Sequence, residues 1–106
     1  MKDTSLLTPA EHQVMQHLWQ LPDGGGFVSD ILQLFEEPRP AYTTVATFLK
    51  ILTRKGFVKT VKTGGVLYFT PRISRQQYLD TLLAKLSDDF FDGDFSALAD
   101  YVRSHT

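Results

Sequence analysis

Positive charge is concentrated in one part of the 106-residue sequence. Between Arg39 and Arg75 there is no Asp or Glu, and the twelve acidic residues lie outside this window, six before it and six after it. The window contains eight basic residues: Arg39, Lys50, Arg54, Lys55, Lys59, Lys62, Arg72 and Arg75. Such clustering is expected of a surface that binds a polyanion. The alternative interpretation is a solvated face whose lysines and arginines have no ligand.

Overall composition hides this segregation, because the formal net charge of the whole chain is only -1. The sequence has no cysteine, which excludes a disulfide framework, a thiolate metal site and a catalytic thiol. Its apolar runs are far shorter than the roughly 18 residues that a bilayer-spanning helix needs. Residues 1–5 lack the apolar core of a signal peptide. We therefore expect a cytoplasmic protein with no membrane insertion.

Residues that could support catalysis or bind a metal are sparse. His12 and His17 are five residues apart on a predicted helix, so they do not share one face as residues at i and i+4 would. The acidic run from Asp88 to Asp94 resembles part of a calcium-binding loop. With Gly93 at position six of such a loop, Ala99 occupies position twelve, where the bidentate glutamate is needed. We expect no enzymatic activity, no cofactor and no bound metal.

The first third of the sequence predicts two helices. Thr8-Pro9-Ala10-Glu11 is a capping box that begins a first helix. The apolar residues of this helix recur on one face, at Val14, Met15, Leu18 and Trp19. The helix must end by Pro22-Asp23-Gly24-Gly25-Gly26. A short second helix is predicted around Val28 to Phe35, before Pro38.

The basic window itself predicts a third helix and a hairpin. The helix runs from Ala41 to Lys55 and ends at Gly56. One of its faces is apolar, with Val45, Phe48, Leu49 and Leu52. The opposite face is polar, with Thr43, Thr47, Lys50 and Arg54. Two segments rich in β-forming residues, 57–63 and 66–70, are separated by Gly64-Gly65, which is typical of a two-residue hairpin loop.

Three helices followed by a hairpin are the arrangement of a winged helix-turn-helix domain, in which the third helix enters the DNA major groove. The hairpin, or wing, then contacts the DNA backbone or the minor groove. The predicted fold class is mainly α with a small β-hairpin wing, divided into a DNA-binding domain (1–72) and a helical dimerisation region (73–106). The predicted DNA contacts are cations and hydroxyl groups, namely Arg39, Tyr42, Thr43, Thr44, Thr47, Lys50, Arg54, Lys59 and Lys62.

These side chains suit different parts of the duplex. Hydroxyl groups in 42–44, in the first helical turn, can bind phosphate together with the helix N-terminus. Thr47 can offer its methyl group to a thymine or its hydroxyl to another base edge. Lys50 and Arg54 can reach guanine or the phosphates that flank the groove, and the wing lysines can lie on either side of the backbone. The alternative is that the threonines are only tolerated surface residues.

After the hairpin, the sequence predicts two more helices. Ser74 to Gln77 is a second capping box that opens a long helix to about Phe90 or Phe91. Asp94 is placed to cap a last helix from Phe95 to Arg103. The last helix also carries Tyr101, and the residues predicted for dimerisation are Tyr78, Leu79, Leu82, Leu83, Leu86, Phe90, Phe95, Leu98 and Val102.

This apolar surface could pack against either of two partners. It can fold back onto the first domain, or it can meet its copy in a second subunit. We favour the dimer, since a two-helix appendage alone buries too little apolar area. Two-fold pairing also gives a small DNA-binding domain a symmetric, bipartite site.

At the level of motifs, the sequence resembles the penicillinase-repressor family, the BlaI/MecI/CopY group of bacterial winged-helix repressors. The resemblance covers nearly the whole chain. The matching segments are Leu7 to Glu11 with Val14-Met15 and Leu18-Trp19, Ala41 to Val45, Lys55 to Val58, Tyr68 with Thr70-Pro71, and Gly93 to Leu98.

This resemblance implies a homodimeric repressor of a palindromic operator, with a recognition helix that starts at 42–44 and a dimer built by the C-terminal helices. Penicillinase-type members are relieved by proteolytic cleavage in the C-terminal helix, downstream of a membrane metalloprotease sensor. The matching peptide here is Asp100-Tyr101, where better-known members have Asn-Phe. Copper-responsive members end in a cysteine cluster, which this sequence lacks.

A second class of function remains open on the sequence alone. The winged helix could serve only for protein contact, with its basic face bound to an acidic partner and no DNA. DNA binding is the leading hypothesis, because the threonines and cations share one face of the predicted recognition helix.

Overall fold

The computed structural model describes residues 6–106. In this part of the chain the helices are α1 (Pro9–Gln20), α2 (Val28–Leu32), α3 (Tyr42–Lys55), α4 (Arg75–Phe91) and α5 (Phe95–Ser104). The strands β1 (Val58–Thr63) and β2 (Val66–Pro71) pair antiparallel after α3. The predicted fold class, a mainly helical winged helix with further C-terminal helices, is confirmed. None of the helices over 6–106 has the length and apolar character needed to cross a bilayer.

The predicted capping box begins α1. The Thr8 hydroxyl accepts from the Glu11 backbone N–H at 3.2 Å, and the Glu11 carboxylate accepts from the Thr8 backbone N–H at 2.9 Å. The inner face of the helix is buried at Val14, Met15 and Leu18. At the far end, the indole N–H of Trp19 donates to the Ile73 carbonyl at 2.9 Å, which ties α1 to the segment that leaves the wing.

Helix α2 is shorter than predicted, and the expectation of helix up to Phe35 was wrong. Beyond Leu32, the N–H groups of Leu34 and Phe35 donate three residues back, as in tight turns. The Arg39 guanidinium donates to the Phe35 carbonyl at 3.1 Å. A side chain therefore satisfies a backbone carbonyl of the turn that follows the helix.

The glycines after α1 do more than end a helix. Gly26 pairs with Phe69 of β2 through two backbone hydrogen bonds, of 2.9 and 2.8 Å. At Gly25, a Cβ would lie 2.6 Å from the Phe69 carbonyl oxygen and 2.6 Å from the Thr70 Cγ2. Only glycine permits this close approach. The 24–26 segment thus lies against the outer edge of the hairpin, which the sequence pattern did not reveal.

Glycine conformations also set both ends of the hairpin. Gly56 ends α3 with a φ of 89°, the left-handed conformation typical of a helix C-terminus. At the tip, Gly64 and Gly65 have φ values of 59° and 84°, and Thr63 pairs with Val66. Two positive φ values in a two-residue loop match the twist of the strands. The predicted hairpin loop is confirmed.

Contacts between Cα atoms divide the chain after Arg75. The first unit has a core supplied by its three helices and the hairpin, with Val14, Met15, Leu18, Val28, Ile31, Val45, Leu49, Leu52, Phe57, Val58 and Phe69 all buried. Phe69 is the largest of the fully buried side chains. The wing is therefore part of the core at its base and not an appended loop.

The second unit, Gln76 to Thr106, contains most of α4 and all of α5. The Asp94 carboxylate accepts from the N–H groups of Ser96 and Ala97, at 2.9 and 3.2 Å, which confirms the predicted cap. Tyr78, Ser87 and Leu98 are the buried side chains on these two helices.

One ion pair joins the start of α1 to the end of α3. The Lys55 ammonium lies 2.9 Å from both carboxylate oxygens of Glu11, whose side chain is only 5% exposed. Burial by itself raises the pKa of Glu11. The hydrogen bonds from Lys55 and Thr8 and the charge of Lys55 outweigh burial, so the pKa of Glu11 is lowered.

We predict that Lys55→Met destabilises the protein by about 3 kcal/mol at neutral pH, because it leaves the Glu11 carboxylate buried and unpaired. Urea unfolding followed by circular dichroism measures this free energy. Lys85→Met is the control, because the Lys85–Asp89 pair lies on the surface at 3.1 Å and its loss costs less than about 1 kcal/mol. Equal losses in the two variants would contradict the prediction.

The pH dependence provides a second readout of the same pair. Since the folded-state pKa of Glu11 is lowered, its contribution is present above the ordinary carboxyl pKa and is lost as the pH falls through the folded-state value. Wild type should therefore lose more free energy of unfolding than Glu11→Gln between about pH 6 and pH 3. Parallel pH curves for the two proteins would show that the pair contributes nothing.

Candidate nucleic-acid interface

Helix α3 presents a polar stripe along its whole exposed side. Val45, Leu49 and Leu52 are buried in the core and fix the rotation of the helix. On the opposite side Thr43, Thr47, Lys50 and Arg54 are exposed, the arrangement that the sequence periodicity predicted. The helix is therefore anchored on one side and offers hydroxyl groups, methyl groups and two cations on the other.

The N-terminal end of α3 is open to an anion. No side chain over 6–106 caps the helix at Ala41, so its first amides have no side-chain acceptor. Tyr42, in this first turn, is half exposed, and Thr43 and Thr44 are exposed beside it. The hydroxyl groups and the positive end of the helix dipole together are suited to a phosphate.

Thr47 is tied to its own helix. Its hydroxyl donates to the Thr43 carbonyl at 2.8 Å, four residues back. A threonine hydroxyl has one proton, so this bond uses its only donor. The oxygen can still accept, and the residue is exposed.

The wing is fixed against the C-terminal half of α3. The Thr60 and Thr53 hydroxyl oxygens are 2.8 Å apart, and the Thr53 hydroxyl also donates to the Leu49 carbonyl at 2.8 Å. Thr60 is therefore the donor to Thr53. Helix α3 and the wing are thus joined by a side-chain bond as well as by their connecting residues.

The two wing lysines lie on opposite faces of the hairpin. In the strand register Lys59 is opposite Thr70 and Lys62 is opposite Leu67. Residues three apart on a strand point to opposite sides, so Lys62 shares a face with Thr60, towards α3, and Lys59 lies on the other. Both lysines are exposed. This arrangement can place one charge on each side of a DNA backbone.

Two cations of the basic window have protein partners. Arg39, which precedes α3, has its guanidinium 2.9 Å from the Glu37 carboxylate, and its side chain is 43% exposed. Lys55 is paired with Glu11 and is not on the exposed stripe. Nothing local in the sequence signals that Glu11, 44 residues away, is the partner of Lys55.

A family model described as penicillinase repressor matches residues 7–105. The chain belongs to the penicillinase repressor family. This family consists of non-enzymatic repressors, so the chain is a DNA-binding transcriptional repressor and not an enzyme. No curated protein is similar enough to the chain to count as a relative.

The histidines of this repressor have packing roles on α1. The His12 and Trp19 rings meet edge to face with centroids 6.4 Å apart, and the His17 and Phe35 rings do so at 4.5 Å. Both ring nitrogens of His17 are buried with no hydrogen-bond partner over 6–106. Burial lowers the pKa of His17 below its ordinary value.

In the C-terminal unit of the repressor, the predicted dimerisation residues fall into two groups. Tyr78 and Leu98 are buried within the single chain, and Leu82 is half-buried. The others are exposed, namely Leu79, Leu83, Leu86, Phe90, Phe95 and Val102. Phe90 is the most exposed of them at 75%.

The peptide predicted as a cleavage site, Asp100-Tyr101, lies in the middle of α5 and is exposed. Asp100 is paired with Arg103 one turn later. The Tyr101 ring stacks on His105 with centroids 4.1 Å apart and lies 5.7 Å from the ring of Phe91. Its backbone is helical, so it is not in the extended form that proteases bind.

Proposed function

We propose that this repressor binds a palindromic operator as a homodimer, with α3 in the major groove and the wing on the flanking backbone. The observation that carries the proposal is the exposed stripe of α3, which combines base-reading side chains with two cations opposite a buried apolar face. The predicted contacts are Arg39, Tyr42, Thr43, Thr44, Thr47, Lys50, Arg54, Lys59 and Lys62. Because a bacterial operator is part of DNA in the cytoplasm, we infer that the repressor is a cytoplasmic protein.

Charge distribution supports the same surface. Lys50 and Arg54 are on the exposed side of α3, Lys59 and Lys62 are on the wing, and no acidic residue lies between them in the sequence. Each phosphate that a cation neutralises releases a condensed counterion, so affinity falls as salt rises. The acidic residues before and after the window disfavour binding of DNA elsewhere on the protein.

Dimerisation is supported by the distribution of exposed apolar side chains. Of the eleven large apolar residues that are exposed over 6–106, seven lie between Gln76 and Thr106. Such a concentration in so short a segment is unusual for a monomer and typical of an interaction surface. A second copy is the partner that a palindromic operator requires. Leu79, Leu83, Leu86 and Phe90 of α4 then pack across the two-fold axis.

We also propose that proteolysis at Asp100-Tyr101, downstream of a membrane metalloprotease sensor, releases the operator, as the resemblance to the family implies. Ten residues make α5 a marginal helix by itself, so local unfolding can expose its backbone. Cleavage there separates Tyr101 and Val102 from the rest of the apolar surface. Loss of these residues weakens the dimer, and the two half-sites are then no longer bound together.

The DNA surface is tested by fluorescence anisotropy with duplexes selected from a random pool. We expect wild type to lose on the order of a thousandfold in affinity between 50 and 200 mM salt, for about 6–10 phosphate contacts. Arg54→Ala should weaken specific binding about tenfold or more. Lys62→Ala should reduce the salt slope by about 2, since the dimer loses one phosphate contact in each subunit. Lys85→Ala, a cation outside the basic window, is the control and should bind as wild type does.

Retention of no duplex by wild type, or an affinity independent of salt, would exclude this proposal. Capture of a single acidic protein by wild type, with no DNA bound, would favour the protein-contact alternative.

The dimer is tested by sedimentation equilibrium of Leu83→Asp and wild type. We expect wild type to be dimeric and the variant monomeric at about 10 µM protein, because the new carboxylate would be buried without a partner in the interface. Ala84→Asp is the control, since Ala84 is exposed on the same helix next to Leu83 but outside the predicted apolar surface. A monomeric wild type, or equal dissociation of the two variants, would contradict the interface.

Cleavage is tested in the native host with an epitope-tagged repressor after exposure to a penicillin, the substrate class for which the family is named. Immunoblotting and mass spectrometry should detect a fragment that ends at Asp100. Asp100→Asn, which brings the peptide closer to Asn-Phe, should be cleaved at least as fast. Derepression with the full-length chain intact would exclude the mechanism.

A further inference from the structure

The exposed stripe of α3 contains one side chain whose hydrogen-bonding capacity the structure limits. Thr47 is exposed in the middle of the stripe, one turn after Thr43 and between the first turn and the two cations. Its hydroxyl donates to the Thr43 carbonyl at 2.8 Å. Because the only hydroxyl proton is used inside the helix, Thr47 faces DNA with one acceptor oxygen and one methyl group.

This limited capacity selects among base pairs. In the major groove guanine presents only acceptors, which Thr47 cannot satisfy, and cytosine presents a donor with no methyl group. An A·T pair presents the adenine N6 amino donor and the thymine 5-methyl group together. The Thr47 oxygen and methyl group each find a partner on an A·T pair in either orientation, and the adenine N7 and thymine O4 acceptors are left to other donors.

We propose that Thr47 is a specificity-determining residue that selects an A·T base pair in each half-site, through its methyl group on the thymine methyl and its oxygen on the adenine amino group. This inference rests on the proposed operator binding by α3. Arg54 and Lys50, as donors only, serve guanine or phosphate, and therefore Thr47 supplies the apolar part of the base contact.

The test uses duplexes that wild type selects from a random pool, with each thymine of a half-site replaced in turn by uracil, which lacks only the 5-methyl group. At one position, replacement of thymine by uracil should weaken wild-type binding about fourfold, which is the effect of losing one buried methyl group. Thr47→Ser keeps the hydroxyl and removes the methyl group. It should bind the thymine and uracil duplexes at that position equally well.

A second arm tests the oxygen. Purine in place of the paired adenine removes the amino group, and Thr47→Val keeps a methyl group but has no oxygen. Wild type should lose more affinity on the purine duplex than Thr47→Val does. The weaker base pair of the purine duplex affects both proteins equally, so it does not contribute to the difference between them. Circular dichroism verifies that each variant is folded.

Thr81 provides a matched control in α4. Its hydroxyl donates to the Gln77 carbonyl at 3.1 Å, the same four-residue bond as in Thr47, but outside the basic window. Thr81→Ser and Thr81→Val should respond to uracil and purine as wild type does. DNA binding in which no thymine or adenine position distinguishes wild type from the Thr47 variants would overturn this inference and leave operator binding intact. Absence of any DNA binding would instead refute the proposed function.

Discussion

The Glu11 carboxylate holds two distant parts of the first unit together. It accepts from the backbone N–H of Thr8, the residue that caps the start of α1. It also accepts from the ammonium group of Lys55, the last residue of α3. The end of the recognition helix is thereby fixed to the start of α1, and Gly56 can direct the chain into the hairpin from a defined point. The buried charge is tolerated because the carboxylate has a cation and an amide as partners.

The same pair changes how the basic window acts. Of its eight cations, Lys55 is neutralised internally and Arg39 is partly neutralised by Glu37. The remaining charges are distributed along α3, over both faces of the wing and at its exit. A protein with a net charge of -1 can therefore present a positive surface, since its acidic residues are confined to other segments.

The sequence predicted the parts of the fold that depend on local patterns. The Thr8–Glu11 capping box, the buried face of α3 and the Gly64-Gly65 loop are all encoded by neighbouring residues. The pairing of Gly26 with Phe69 and the Lys55–Glu11 ion pair were not predictable, because backbone pairing and long-range charge pairing have no periodic signature. The Thr47 bond depends on a rotamer, which composition does not encode.

The base of the wing is held at three points: the Gly26–Phe69 backbone pair, the Thr60–Thr53 hydroxyl contact and the Trp19–Ile73 hydrogen bond. These three attachments come from different directions and leave little freedom for a hinge between the wing and α3. The contact surface is therefore preorganised, and little conformational entropy is lost when it meets a ligand. Because the protein surface is rigid, the DNA must deform to fit it. The affinity of the repressor for a DNA sequence then depends on how easily that sequence bends.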